Sequence, residues 1–492
     1  MSNNLREQIQ QQIAAFGELV EAHLSVWSKA RTPVEFREME LDVAKRCRQL
    51  SDGITACVLQ DTVSDPSFEM EVSVAARQGG LLRQGDRRDV TVTLVGGSRV
   101  RLTQLEYLKR NGRRKRRGRP RTKRGKSGTG LYPCLAALGI CFGVTPALAG
   151  EICAQVADSD SVRAGRSALA RRDIDLGHKQ TLRIVNGFSA RAVAQRQAWL
   201  HQARQRQAAK SAVQGMRVVV ATDGGRIRER HYKQGRRRAN GHRSYDAPWC
   251  EPKLLVVYLI NDQGKVLHTL RPIVDGTLGD CDAIFPMLTG YLRALGVEQA
   301  KQLIIVGDGA KWIWERVEPL VEALGIERHK VAQVVDYYHA TEKLNEIAAI
   351  PVTWSKSTKK QWLRRAENLL YNGKTTELAA HIDTLAVGRR AKTIRSYQPY
   401  FTRNHDRMQY RSFAARHIPR GSGAIESAMR RVINLRMKSN AKFWKQQNAE
   451  GMILLRSYLK AGRFDDLINW SIAAAAPWCP DNDIPSLISE VS

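Results

Sequence analysis

Asp223, Asp308 and Glu426 are the residues whose types and settings suit metal chemistry. Asp223 ends the run 216–223 (MRVVVATD) and Asp308 ends 302–308 (QLIIVGD). Each run is short, apolar and β-branched and stops at an Asp followed by glycine, which predicts a buried strand ending in a turn. Glu426 lies within 420–435 (RGSGAIESAMRRVINL), where Ser422 is placed to cap a helix carrying Glu426 near its first turn. Two strand-end carboxylates and one helix carboxylate suit Mg²⁺ or Mn²⁺, hard ions that take oxygen ligands and leave positions open for phosphate. Two such ions together stabilise the attacking and the leaving oxygen of a phosphodiester transfer. Each acid also has a plainer use: Asp-Gly after a strand makes ordinary turns, and Glu426 is spaced to pair with Arg430 one helical turn on.

The charge balance names a partner class. Lys and Arg total 79 against 48 Asp and Glu, a net charge of +31. DNA accounts for that excess through phosphate neutralisation and counterion release. A chain of 492 residues with 43% hydrophobic content has material for several domains and a large core. Its eight cysteines are scattered with no Cys-x-x-Cys pair, which predicts a reducing compartment, no disulfide framework and no zinc site. The first residues lack the apolar core of a signal peptide. Residues 131–150 carry no charge, yet Pro133, Gly139, Gly143 and Pro146 break them, so a buried helical piece is expected rather than a membrane span. The expected location is the cytoplasm.

The elements that must position these acids can be read along the chain. Residues 1–88 form a helical region, opened by Leu5, Ile9, Ile13, Phe16, Leu19, Val20, Leu24 and Trp27 at helical spacing. Residues 89–108 alternate around Gly96 and Gly97 as a β-hairpin. Residues 109–130 form a basic linker; 12 of the 18 residues from 109 to 126 are Lys or Arg, and Arg113, Arg114, Lys115, Arg116 and Arg117 are candidates to lie along a phosphate backbone or in a minor groove. A solvated charged linker is the alternative. Residues 131–210 predict a helix-turn-helix-like DNA-binding region of three short helices. The third would offer His178, Lys179, Gln180 and Arg183 to the groove, and a further basic helix over 191–210 would follow.

From 211 to 460 the expected order is strand, long basic connection, two strands joined by a turn at 261–264, helix, strand, helix, strand, then helices. The strands are 216–223, 254–260, 266–270, 302–308 and 331–335; a helical insertion at about 337–420 precedes the Glu426 helix, and 461–492 form a C-terminal tail. This is the order of an α/β, ribonuclease H-like fold, in which the first and fourth strands are neighbours. The connection 226–243 carries eight Lys or Arg, with Arg236, Arg237 and Arg238 adjacent, and is placed either to grip DNA or to form a solvated loop. Trp354, Trp362 and Trp444 have both a core reading and a base-stacking reading.

The motifs TDGG at 222–225, GDGAKWIW at 307–314, DYYH at 336–339 and GSGAIES at 421–427 belong together with a C-terminal block. That block is NLRMK at 434–438, FW at 443–444 and NAEGMILLR at 448–456. With them the chain resembles the DDE transposases of bacterial insertion sequences, most closely the Kra-type group related to Mutator-like and hAT-like transposases. The resemblance is strongest over 216–470. It implies that Asp223, Asp308 and Glu426 bind two Mg²⁺ or Mn²⁺ ions and that Asp336 and His339 match the family's Asp/Cys-x-x-His element beside the site. Arg430, Lys438 and Trp444, in and around this block, are further candidate DNA contacts, with the core reading of Trp444 still open. The chain departs from the pattern where relatives often carry a Cys-x-x-Cys zinc ribbon after the hairpin; here that stretch is the basic tract.

The implied activity is cleavage at the terminal inverted repeats of an insertion sequence and joining of the freed 3′-hydroxyl to target DNA. Two ends held at once imply a homodimer or higher oligomer, and no membrane. Two alternatives stay open: a catalytically inactive, domesticated DNA-binding regulator, and a structure-selective nuclease of the same fold.

Overall fold

The structure, a computed structural model, describes residues 3–109, 130–205, 211–235, 237–239, 241–351 and 354–474. Arg113, Arg114, Lys115, Arg116, Arg117 and Arg236 lie outside the described residues. The chain divides into two compact units, 1–195 with 465–485, and 196–464 with 486–492. No helix among the described residues is long and apolar enough to cross a membrane.

The first unit begins with the helices Asn3–Trp27, Pro33–Ser64 and Pro66–Gln78. The second starts at a capping box. Thr32 accepts from the Glu35 backbone, Glu35 reaches back to the Thr32 backbone, and Pro33 follows the cap. Strands β1 (Leu81–Thr93) and β2 (Arg99–Lys109) then form an antiparallel hairpin. It is longer than the alternating pattern of 89–108, because Leu81 and Tyr107 bury against Ala76 and extend the pairing past an irregular step at Arg83/Arg87. The turn is held from outside: buried Asp52 accepts the backbone N–H groups of Gly96 and Ser98, each at 2.9 Å.

Helices Pro146–Asp158, Val162–Ala170 and His178–Gln205 follow. The last corrects the sequence reading. It is one helix of 28 residues, not a short helix followed by another, because nothing in it breaks the backbone. Its interior glycine, Gly187, packs against the ring of Phe142, where a Cβ would come within 2.3 Å. Its residues from Arg196 onward belong to the second unit.

The second unit is a mixed α/β structure. Its strands are β3 (Arg217–Gly224), the short β4 (Ile227–Arg228), β5 (His231–Tyr232), β6 (Tyr245–Asp246) and β7 (Trp249–Cys250), then β8 (Lys253–Ile260), β9 (Val266–Leu267), β10 (Ile273–Thr277), β11 (Gln302–Gly307) and β12 (Val331–Val335). The central sheet has the order β10-β8-β3-β11-β12, with β9 on β8. β8 is antiparallel to β3 and β10, whereas β3, β11 and β12 are parallel. Helix Cys281–Leu295 connects β10 to β11, and helices Lys311–Trp314 and Val317–Leu324 connect β11 to β12. The middle strands read as unbroken apolar runs because they are buried almost throughout.

Two expectations need correction. β3 does not stop at Asp223 but stays paired through it, Asp223 opposite Leu254 and Gly224 opposite Lys253. The strand expected at 266–270 is only two residues long, and β10 is the third full strand. Pro272 has no N–H to give a ladder, and the chain bends before it and resumes pairing at Ile273.

Between β12 and Glu426 the described residues form helices Tyr337–Ala349, Lys356–Tyr371, Thr375–Asp383, Ala391–Arg395, Gln398–Thr402 and Tyr410–Ala415. Helix Gly423–Met429 then runs into a π-helical turn, Arg430–Asn434, and helix Gln446–Lys460 follows.

Candidate metal-binding active site

Strand register brings the two aspartates together. β11 pairs with β3 in parallel up to Val306 opposite Ala221, and Asp308 and Asp223 each follow two residues later. Both therefore stand at the same end of neighbouring strands, close enough for the Asp308 charge to act on the Asp223 carboxyl. Asp223 Oδ1 accepts the N–H of Gly224 at 2.7 Å. Asp308 Oδ1 accepts from Ala310 N at 3.0 Å, and its carbonyl oxygen accepts the Trp314 indole N–H at 2.7 Å. The second tryptophan of the GDGAKWIW motif thus pins the turn that carries the acid.

Glu426 arrives from the helix Gly423–Met429, which packs on β3 and β8. The glycines beside the aspartates serve close approach, since none of Gly224, Gly225 and Gly309 adopts a positive φ. A Cβ on Gly225 would come 2.7 Å from the sulfur of Met429, and one on Gly309 would come 1.9 Å from the ring of Tyr400. At Asp308 the Asp-Gly signal marks the turn that the sequence suggests, and at both acids the glycines also mark crowding.

A fourth acid organises the rim. Asp336 is fully buried at the end of β12. Its Oδ1 caps helix Tyr337–Ala349, accepting from Tyr338 N at 2.6 Å and His339 N at 3.0 Å. Its Oδ2 accepts from both the backbone N–H and the hydroxyl of Ser422. The Ser422 hydroxyl is also 3.1 Å from Glu426 Oε1, so its single proton serves one carboxylate at a time. Ser422 is thus not a side-chain cap as its position suggests; its carbonyl accepts the first N–H groups of the helix while its hydroxyl binds acids. His339 Nε2 lies 3.7 Å from Glu426 Oε1, and His339 Nδ1 lies 3.3 Å from Glu342.

The electrostatics suit a cation. Burial pushes the Asp223 carboxyl above its ordinary pKa, the Gly224 N–H opposes that shift, and the charges of Asp308 and Glu426 add to it. Among the described residues neither Asp223 nor Asp308 forms an ion pair. In a protein of net charge +31, two neighbouring aspartates without an ion-pair partner among the described residues fit oxygen-preferring divalent ions. The tightest three-residue grouping here is Asp336, His339 and Glu426, with ligand atoms within 4.8 Å of one another; Asp223 and Asp308 lie outside it. Asp336 is already occupied by four donors, which leaves Asp223, Asp308 and Glu426 as the available carboxylates.

The other sequence candidates are dispersed. Lys179 and Arg183 are exposed on the first turns of the helix His178–Gln205 with Gln180 half-buried, and the Arg183 guanidinium lies 5.4 Å from the Phe142 ring centre. Arg430 and Lys438 are exposed in the segment after Glu426. Arg237 and Arg238 are exposed at a turn, where Arg238 Nε donates to Ser244 Oγ at 2.9 Å. Trp444 is half-buried; its indole donates to Met437 O at 3.0 Å, and its backbone bridges to Glu229 in the connection after Asp223. Trp362 is core: it is 7% exposed and stacks on His381, ring centres 5.0 Å apart, with Trp354 against it.

Several supporting residues escaped the sequence reading. Tyr400 presses on Gly309 from the helical insertion, and burial, reinforced by Asp308, pushes its phenol well above the usual value. Arg456 Nε donates to Val432 O at 2.7 Å and its Nη2 to Arg431 O, two carbonyls of the π-helical turn. Arg196 is buried with Asp275 at 2.9 Å and Glu450 at 2.7 Å, joined by the Tyr291 hydroxyl on Asp275. Only the unusual density of polar residues inside the apolar 448–456 block signals any of this in advance. Compared with known family models, with curated proteins and with solved structures, the chain matches none of them.

Proposed function

We propose that the protein is a DDE-type DNA transposase, which binds the terminal inverted repeats of its insertion sequence and catalyses metal-dependent strand cleavage and transfer into target DNA. The observation that carries this reading is the placement of Asp223 and Asp308 two residues beyond the last β3–β11 pair, both without ion pairs among the described residues, with the helix that carries Glu426 packed on β3 and β8. The strand order β10-β8-β3-β11-β12 with one antiparallel neighbour on each side of β8 supports a ribonuclease H-like core, and helices inserted before Glu426 agree with it.

When bound, two Mg²⁺ or Mn²⁺ ions supply an activated water or hydroxyl and stabilise the departing oxygen. Asp223, Asp308 and Glu426 would hold them. Asp336 and Ser422 fix the direction from which Glu426 approaches, and His339 stands beside Glu426 to orient a phosphate or the attacking group. In cleavage, a water oxygen bonds to phosphorus and the 3′-oxygen of the end departs as a hydroxyl. In transfer, that 3′-hydroxyl attacks a target phosphodiester and displaces the target's 3′-oxygen. Arg430 and Lys438, exposed on the segment after Glu426, supply charge for the backbone. Two ends require at least two copies of the chain, working at the bacterial nucleoid.

The test uses DNA flanking the gene, searched for short inverted repeats and labelled. Wild type, Asp308→Asn and Glu426→Gln are compared with Mg²⁺ and with EDTA. Cleavage and joining by the wild type alone support a transposase. Cleavage without joining would replace it with a nuclease, and tight binding without metal-dependent cleavage would leave a regulator.

A further inference from the structure

After Asp223, residues 225–232 and 245–252 form a two-stranded ribbon, and one face of it alternates cations with aromatic rings. β4 pairs with β7 and β5 with β6, both antiparallel, with Arg228 opposite Trp249 and Tyr232 opposite Tyr245. The root of the ribbon continues the β3–β8 pairing: Gly225 N donates to Pro252 O at 2.8 Å, immediately beyond the Asp223–Leu254 and Gly224–Lys253 pairs. Because side chains alternate, residues 228, 230 and 232 share a face with their cross-strand neighbours 249 and 245. A third segment joins through the Glu229–Trp444 bridge, and Trp444 N and O bond to Arg228 O and Arg230 N. That places Phe443 and Lys445 on the same face.

The contacts follow this parity. Arg228 lies 5.2 Å from the Trp249 ring centre, Arg230 4.5 Å from that of Tyr245, and Lys445 5.8 Å from that of Tyr232. Tyr232 meets Tyr245 at 6.0 Å, and Tyr245 meets Phe443 at 5.8 Å. Rings so arranged are normally core, yet Tyr232, Tyr245 and Trp249 are 43%, 37% and 43% exposed. The opposite face is ordinary, with His231 paired to Glu229.

We propose that this face is a stacking platform for unpaired bases of a nucleic-acid strand, with Arg237, Arg238 and Arg243 beyond it available to the phosphates. Every base offers a π-face to an exposed ring, and flanking guanidinium groups add cation–π attraction and backbone neutralisation. A protein partner is less well matched, because the rings are interleaved with cations rather than gathered into an apolar patch. The proposal rests on the reading of this protein as one that handles DNA strands, and it adds that the strand beside the metal-binding acids is held melted. From Asp223 to Tyr232 an extended chain spans at most roughly 30 Å, so the platform lies within one protein diameter of the acids.

The test is fluorescence anisotropy with the full chain in EDTA, where no strand is cut. Labelled single-stranded and duplex DNA of roughly 16 nucleotides are the probes. Tyr232→Ala with Tyr245→Ala is expected to weaken single-strand binding about tenfold or more while duplex binding, which is carried by charge, stays nearly unchanged. Tyr232→Phe with Tyr245→Phe keeps the rings and is expected to bind like wild type, which separates stacking from misfolding. Equal loss for both probes, or no loss for either, overturns the platform. So does an oligomer that falls apart in light scattering when the rings are removed while nucleic-acid binding is kept, since the face would then join copies of the chain. A protein that stacks single strands here but cuts no end keeps the platform and loses the transposase reading.

Discussion

Asp223 carries a stability penalty with a defined sign. Its folded-state pKa lies above the unfolded value, first through burial, so between the two values the folded state binds more protons. Its contribution therefore falls as pH rises through that window, and it is unfavourable at neutral pH. Asp223→Asn keeps an oxygen for the Gly224 N–H but removes the charge. It is expected to raise the melting temperature in EDTA at neutral pH and to abolish the stabilisation that Mg²⁺ gives the wild type. A thermal scan of both proteins with and without Mg²⁺ checks this; equal Mg²⁺ stabilisation of the variant would remove Asp223 from the ligand set. Asp336 predicts a different pattern. Asp336→Ala strands four donors, two of them at a helix start, and should cost about 3 kcal/mol in denaturant unfolding. Ser422→Ala leaves the backbone donor in place and should cost only about 1 kcal/mol, while slowing cleavage about tenfold because Glu426 loses its guide.

At the scale of elements, the helix bearing Glu426 is held at both ends. Asp336 anchors the residue before it, and Arg456 closes the π-helical turn after it. Arg456→Met should cost about 2–4 kcal/mol, because the buried Val432 carbonyl and the partly buried Arg431 carbonyl lose a charged donor, and Arg456→Lys should not restore it, since one ammonium cannot span both. The buried Arg196 network behaves differently. Arg196→Met alone leaves Asp275 buried and unpaired and should cost about 3–5 kcal/mol; adding Asp275→Asn should recover a good part of that loss. Equilibrium unfolding of the two singles and the double gives the coupling, and simple additivity would show that the pair is not one unit.

The whole molecule is governed by its charge. A protein of +31 should bind duplex DNA with a steep salt dependence, losing roughly a thousandfold or more in affinity between about 50 and 200 mM salt. Twelve of its positive charges lie in the tract 109–126. Replacing that tract with Gly and Ser of equal length should flatten the log–log slope by several units, measured by anisotropy at a series of salt concentrations. An unchanged slope would make the tract a solvated linker.

Much of the local architecture was legible. The runs at 216–223, 302–308 and 331–335 and the turn at Gly96–Gly97 are local patterns, and each forms close to where its pattern lies, because backbone preference and side-chain alternation act over a few residues. The same local logic misjudged Val266–Leu270, whose alternation is cut by Pro272, and divided the helix His178–Gln205 that nothing interrupts. What only the tertiary structure decided is who meets whom. Asp336 and Ser422 are 86 residues apart, Arg196 and Glu450 are 254 apart, and Tyr400 meets Gly309 from an inserted helix whose own pattern says nothing about the site. The ribbon shows both levels in one element: alternation along the chain sorts its rings and cations, but only register across three segments sets them on one face. Burial and proximity depend on long-range packing, so the acids could be nominated from the sequence, whereas the clamp that aims them could not.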